Sequence, residues 1–191
     1  MDVYEVTISR RSIRRFKDIP VPPQILERCV NAARLAPSAH NLQSLEYIIV
    51  NDDQLLADVF STLGWAAYIR PAGDPPEGKR PKAYIVIVSN SSTATAFTAY
   101  DVGASMENII LVAWAEGIGS CPIANVNRDK LRKILNIPAE YEIPVVLALG
   151  YPDESPVKEP FDGSVKYWKD KEGVLHVPKK KLEMVQHWNT F

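Results

Sequence analysis

Five basic side chains fall within residues 10–17, in the order Arg10-Arg11-Ser12-Ile13-Arg14-Arg15-Phe16-Lys17. A guanidinium presents paired N–H donors in a rigid fork that matches the oxygens of a phosphate monoester. Ser12 adds a hydroxyl donor to the same cluster. Further along, Ala36-Pro37-Ser38-Ala39-His40-Asn41-Leu42-Gln43 joins small residues to two carboxamides. Asn41 and Gln43 each carry donors and an acceptor. That combination suits the edge of a planar heterocycle whose donors and acceptors alternate. A second basic run, Lys179-Lys180-Lys181, lies near the far end of the chain. Basic character at two distant points reads as one assembled anion site.

One ligand carries a phosphate monoester and such a heterocycle together: flavin mononucleotide (FMN). At these residues the chain resembles the FMN-dependent nitroreductase family. Residues 10–14 look like that family's phosphate-binding opening, and the Pro-Ser-x-x-Asn-x-Gln run looks like its flavin-edge loop. The resemblance implies that Arg10, Arg11, Ser12 and Arg14 serve the cofactor. Arg14 would also stand near N1 and the C2 carbonyl, where a cation stabilises the reduced ring. It implies that Pro37, Ser38, Ala39, Asn41 and Gln43 reach a flavin bound mainly by a partner subunit. Gly117-Ile118-Gly119-Ser120-Cys121-Pro122-Ile123-Ala124 resembles the family's Gly-x-Gly turn. Pro122, Ile123 and Ala124 would then lie against the ring near N5. Lys179 and Lys180 match a basic pair that returns to the phosphate. The chain departs from the family pattern at Ser44-Leu45, where Pro-Trp is usual, and in having two lysines where an arginine is frequent.

Each motif also has a plainer reading. Arginines at a helix end offset the helix dipole. Pro, Ser and Asn are ordinary loop residues. A Gly pair after a helix caps and turns it, and it is no dinucleotide fingerprint, because it follows a helix and lacks the third Gly. A lysine run is often a solvated face. Cys121 reads as a small core residue. Cys29 and Cys121 form no Cys-x-x-Cys pair, and His40, His176 and His187 have no ligand spacing, so no metal is expected. Asp52, Asp53 and Glu140 read as turn carboxylates, and no Ser–His–Asp arrangement is legible.

These residues need positioning elements. The spacing predicts a short helix over 2–9, a helix opened by Pro22 and Pro23 and stopped by Pro37, and another over 54–63. Strands are expected at 45–50, 83–88 and 143–149. Residues 64–82, with four prolines, three glycines and Trp65, read as a loop and a candidate cover for the ligand. The longest helix is expected over 97–116, apolar on nearly every side and therefore buried on every face. That hints at a central helix shared with a second subunit. Asn127 is expected to cap a helix over 128–135. A hairpin over 165–177 and a terminal helix over 181–188 complete the chain. The elements alternate without a βαβ repeat, which favours α+β: a mostly antiparallel sheet flanked by helices.

The 191 residues fit one domain, 1–191, with 46% apolar and 24% charged residues. The net charge of −1 offers no global attraction for nucleic acid or an acidic membrane. No signal peptide is legible and no apolar run spans a bilayer, so a cytoplasmic protein is expected. The resemblance implies a homodimer with FMN at the interface. It implies an NADPH- or NADH-dependent oxidoreductase that passes two electrons through flavin N5 to a nitroaromatic, a quinone or a similar acceptor. Relatives of this architecture also carry out reductive dehalogenation, azoline dehydrogenation or flavin fragmentation. A flavin carrier or sensor, and a nucleic-acid arm over residues 10–17, are the non-enzymatic alternatives.

Overall fold

The two most continuous apolar runs become the central strands of an antiparallel sheet. In the computed structural model, which describes residues 2–191, the sheet comprises β1 (Leu45–Val50), β2 (Ala83–Asn90), β3 (Gly119–Ile123) and β4 (Tyr141–Gly150), in the order β1-β2-β4-β3. Alternate side chains point to opposite faces. Tyr84, Val86, Val146 and Ala148 face one layer, formed by α3 (Asp53–Phe60), α5 (Arg128–Leu135) and Trp65. Ala83, Ile85, Ile87, Leu147 and Leu149 face the other, formed by α2 (Pro23–Ala33) and α4 (Thr98–Ala115). Helices cover both faces, which is why β2 and β4 have apolar residues on both sides. A register shift between Ile87 and Ser89 marks a bulge opposite the Pro144 region of β4.

Asp2 caps α1 (Val3–Ser9) in a reciprocal capping box with Glu5. The Trp114 indole N–H donates to Ser9 Oγ at 3.0 Å and ties the end of α1 to α4. Residues 10–17 then run extended beside β3. Ser12 bridges Ser120 in parallel, and the Ile13 and Lys17 amides donate to the carbonyls of Ser120 and Tyr151, each at 2.9 Å. Ile13 and Phe16 are fully buried. Two facing glycines, Gly119 and Gly150, leave room for them. A Cβ on Gly119 would lie 2.6 Å from Ile13 Cγ1, and one on Gly150 would lie 2.8 Å from Phe16 Cδ1.

Several expected elements change. Residues 119–123 form an edge strand, where a turn is expected: Gly117, at φ +77°, ends α4, and Gly119 serves close packing instead. The hairpin becomes part of a three-stranded sheet, β5-β7-β6, of β5 (Val157–Pro160), β6 (Trp168–Lys169) and β7 (Leu175–Lys179). β5 joins β7 in parallel, a pairing that local periodicity does not encode. The terminal helix shrinks to one 3₁₀ turn, Leu182–Met184. Leu182, Val185 and Trp188 are exposed there, so no packed face stabilises a helix too short to persist alone. Within one chain α4 is buried on one side only. Asp101, Val102, Ile109, Ile110 and Ala113 are covered, Tyr100 is 74% exposed, and Gly103, Ala104, Glu107 and Leu111 are half-buried.

Candidate functional site

The extended backbone of residues 10–14 sorts its side chains by parity. Ile13 enters the core, while Arg10, Ser12 and Arg14 line a cleft of about 190 Å³ with Arg11, Tyr167, Val177 and Lys179. The basic residues at the two distant points of the sequence thus meet, because β7 ends beside the 10–17 segment. Lys179 reaches the cleft and Lys180 does not line it. Arg11 is largely consumed locally: its Nη1 donates to the carbonyls of Ile8 and Arg10 at 2.9 and 2.6 Å, at the C-terminal end of α1. Burial, and then the neighbouring Arg10, hold the Arg11 pKa below its ordinary value.

Arg14 is the opposite case. Its backbone N–H donates to Glu154, whose other carboxylate oxygen lies 3.7 Å from Arg15. The Arg14 guanidinium sits over the Tyr167 ring, 5.4 Å from its centroid. Among the described residues that guanidinium has no hydrogen-bond or ion-pair partner, and its Nε is buried. Arg10 Nε is likewise buried and unbonded, 3.9 Å from Glu107. Buried donors without partners are costly unless something else satisfies them.

Arg14 and Tyr167 also line a second cleft of about 200 Å³, with Gly64, Trp65, Ala66, Cys121, Pro122, Ile123, Ala124 and Asn125. The two clefts therefore adjoin at one cation and one aromatic ring. Trp65 Nε1 is another buried donor with no hydrogen-bond partner among the described residues. The residues play unequal parts: Ile123 is 4% exposed and its side chain belongs to the core, Pro122 is half-buried and Ala124 is exposed. Cys121 is buried beneath the cleft, and burial pushes its thiol pKa up. Cys29 lies in the other core, its pKa pushed up to about 12, mainly by burial. Both thiols are accordingly poor nucleophiles.

The 64–82 segment is anchored. Trp65 is 3% exposed and packs against Phe60, with ring centroids 5.6 Å apart, and the Gly64 amide donates to the Asn125 carbonyl at 2.8 Å. Tyr68 leans on Tyr167, with centroids 5.0 Å apart. Trp65 is thus a core side chain whose edge lines the cleft. Tyr167, Glu154, Gly64, Ala66 and Asn125 are the residues sequence reasoning missed. No spacing signals them, because they arrive from a hairpin and three loops.

The 37–43 loop lies elsewhere within the chain. Pro37, Ser38 and Gln43 line a separate cavity of about 140 Å³ with Asp101, Ser105 and Tyr47. Ala39 meets Asp101, and Arg10 meets Glu107. Six residues apart, Asp101 and Glu107 are about 120° apart around α4 and about 9 Å apart along it. Asn41 and Gln43 are exposed.

Comparison with known proteins gives this geometry a context. Residues 8–151 match the model of the Nitroreductase family. An NADH dehydrogenase of Thermus thermophilus is 29% identical over 183 residues, covering 81% of this chain and 88% of that protein. The crystal structure of a nitroreductase family protein from Clostridium novyi NT superposes with a TM-score of 0.70 at 29% identity, covering 83% of this chain and 89% of that one. An FMN-dependent nitroreductase from Clostridium difficile R20291 superposes with a TM-score of 0.70 at 24% identity, covering 98% of this chain and 99% of that one. The chain belongs to the Nitroreductase family and is an oxidoreductase with the α+β fold of that family.

Proposed function

We propose that this protein is an FMN-dependent NAD(P)H oxidoreductase that reduces a nitroaromatic, a quinone or a similar acceptor. The observation that carries the reading is the pair of adjoining clefts. Arg10, Ser12, Arg14 and Lys179 surround one, and Gly64–Ala66 with Pro122–Asn125 surround the other. Three buried donors with no hydrogen-bond partner among the described residues, Arg10 Nε, Arg14 Nε and Trp65 Nε1, belong to residues of these clefts. A phosphate at one end and a heterocycle at the other fit that donor set. The names of relatives, an NADH dehydrogenase and an FMN-dependent nitroreductase, support the same reading.

The chemistry FMN supplies when bound is two-electron transfer between a reduced nicotinamide and an oxidised acceptor. This chain's residues do the rest. Arg10, Ser12 and Lys179 hold the phosphate by charge-assisted hydrogen bonds. Arg14, whose guanidinium has no hydrogen-bond or ion-pair partner among the described residues, supplies positive charge to the reduced ring and favours the form that carries electrons. Pro122 and Ala124 line the ring's side of the cleft. No side chain is assigned as an acid or a base. The loop of Pro37, Ser38, Ala39, Asn41 and Gln43 serves the flavin of a second copy, because it lies on another face of α4 from its own chain's clefts. The half-open face of α4 supplies the contact for that homodimer.

The test is the visible spectrum of the protein purified in excess FMN, before and after anaerobic NADPH or NADH. A flavin band that bleaches supports the reductase. A band that persists marks a flavin binder or a family member with another electron donor, and no band overturns the cofactor assignment. Arg10→Ala with Arg14→Ala is expected to release FMN while leaving the fold intact by circular dichroism. Full retention of flavin by that double variant overturns the site.

A further inference from the structure

The 37–43 loop has an unusual backbone. His40, Asn41 and Gln43 have φ of 52°, 55° and 48°, a region that residues with a Cβ seldom enter. Such a conformation persists only where surrounding contacts over-determine it. Within the loop, the Asn41 amide donates to the Ser38 carbonyl at 2.9 Å, the Leu42 amide to the Ala39 carbonyl at 3.1 Å, and the Gln43 amide to Ser38 Oγ at 3.2 Å. Among the described residues, one hydrogen bond ties 37–43 to the rest of the chain: the Ala39 amide donates to Asp101 Oδ1 at 2.9 Å. Asp101 is 6% exposed and makes no ion pair among the described residues. It stands in the first turn of α4, where the helix dipole stabilises a carboxylate. A buried acid with no cation is costly, and nothing in the two clefts described above uses it.

We propose that Asp101 is the positioning residue of the 37–43 loop. Its carboxylate fixes the loop to α4 through the Ala39 amide, so that Asn41 and Gln43 are held ready for the flavin edge. The inference rests on the reading that this loop meets the flavin. Ser38 is extended (φ −133°, ψ 148°) and Ala39 opens the 3₁₀ turn, so Ala39→Pro suits the backbone, removes the donor and turns its ring Cδ toward the Asp101 carboxylate.

The experiment measures the FMN dissociation constant, by flavin fluorescence, for Asp101→Asn, Asp101→Leu, Ala39→Pro and the Asp101→Leu/Ala39→Pro pair. Asp101→Asn keeps an acceptor and is expected to bind FMN close to wild type. Asp101→Leu and Ala39→Pro each weaken binding about tenfold, the worth of one charge-assisted hydrogen bond. The pair weakens it no further, since both remove the same bond. If Asp101→Leu does not fold, Ala39→Pro decides the matter. Wild-type affinity in Ala39→Pro, with weakened binding in Asn41→Ala or Gln43→Ala, overturns the role of Asp101 and leaves the loop's role standing. Wild-type affinity in all of these variants overturns the loop reading and the proposal together.

Discussion

Gly119→Ala perturbs the phosphate cleft from beneath without touching a side chain that lines it. The new Cβ would meet Ile13 Cγ1 at 2.6 Å, Ile13 Cβ at 2.9 Å and Pro152 Cγ at 3.0 Å. Carbon atoms pack best at about 3.5–4.0 Å, so the first contact needs about 1 Å of relief. Ile13 has no rotamer escape, because its Cβ is itself too close and the residue is 1% exposed. The segment bearing Arg10, Ser12 and Arg14 must move. Overpacking of this kind costs about 1–3 kcal/mol. Spent on the segment's position, that strain weakens FMN binding by about fivefold to a hundredfold, at 1.4 kcal/mol per decade. Spent on the fold, it lowers Tm by about 3–9 °C for a domain of this size. Gly117→Ala is the control two residues away. Gly117 needs its glycine for a φ of +77° and has nothing among the described residues within 4 Å of an added Cβ. It should lose about 1 kcal/mol of stability and no FMN affinity. Calorimetry and FMN titration on both variants separate the two effects. Wild-type Tm and wild-type FMN affinity together in Gly119→Ala would refute the packing argument, as would an equal loss of FMN in Gly117→Ala.

The small sheet carries a pH dependence. His176 Nδ1 lies 2.7 Å from Glu159 and Nε2 lies 3.0 Å from Asp170, and the ring stacks on Trp168 at 4.1 Å. The bonds to Asp170 and then Glu159 raise the His176 pKa above its ordinary 6.5. The stabilisation is therefore complete below 6.5 and is lost as pH rises through the elevated value. Tm followed from about pH 5.5 to about pH 9 should fall more in wild type than in His176→Gln, and parallel curves would count against the clasp. Lys179→Ala should weaken FMN binding about threefold to tenfold, with the effect shrinking in high salt, while Lys180→Ala should change it little. Equal effects in titration would return both lysines to a solvated run.

Local pattern was enough for much of this molecule. Apolar continuity marked 45–50, 83–88 and 143–149 as strands, and the observed strands cover each of them. Pro23 at the start of α2 and Asn127 at the cap of α5 announced helices by chemistry confined to a few neighbouring residues. Arg10, Ser12 and Arg14 stood out because guanidiniums clustered around a hydroxyl have a specific chemical use, and alternation along an extended backbone places those three on one side. What the sequence withheld depends on contacts between distant segments. Tyr167 and Glu154 reach Arg14 only because the hairpin and the chain after β4 fold back to the 10–17 segment. Lys179 and Lys180 are indistinguishable by type and separate only when β7 ends at the cleft. Gly119 looked like half of a turn, and its reason for being glycine is Ile13, over a hundred residues earlier. The exposed tail shows the limit from the other side. Helical spacing over 181–188 had no surface to pack on, and without burial, propensity over so few residues does not overcome the entropy of ordering them. Residue chemistry and short-range periodicity determined which parts of this chain were elements and which were tools. Tertiary packing decided which tools meet, because long-range contacts are set by buried area and close approach that no local window records.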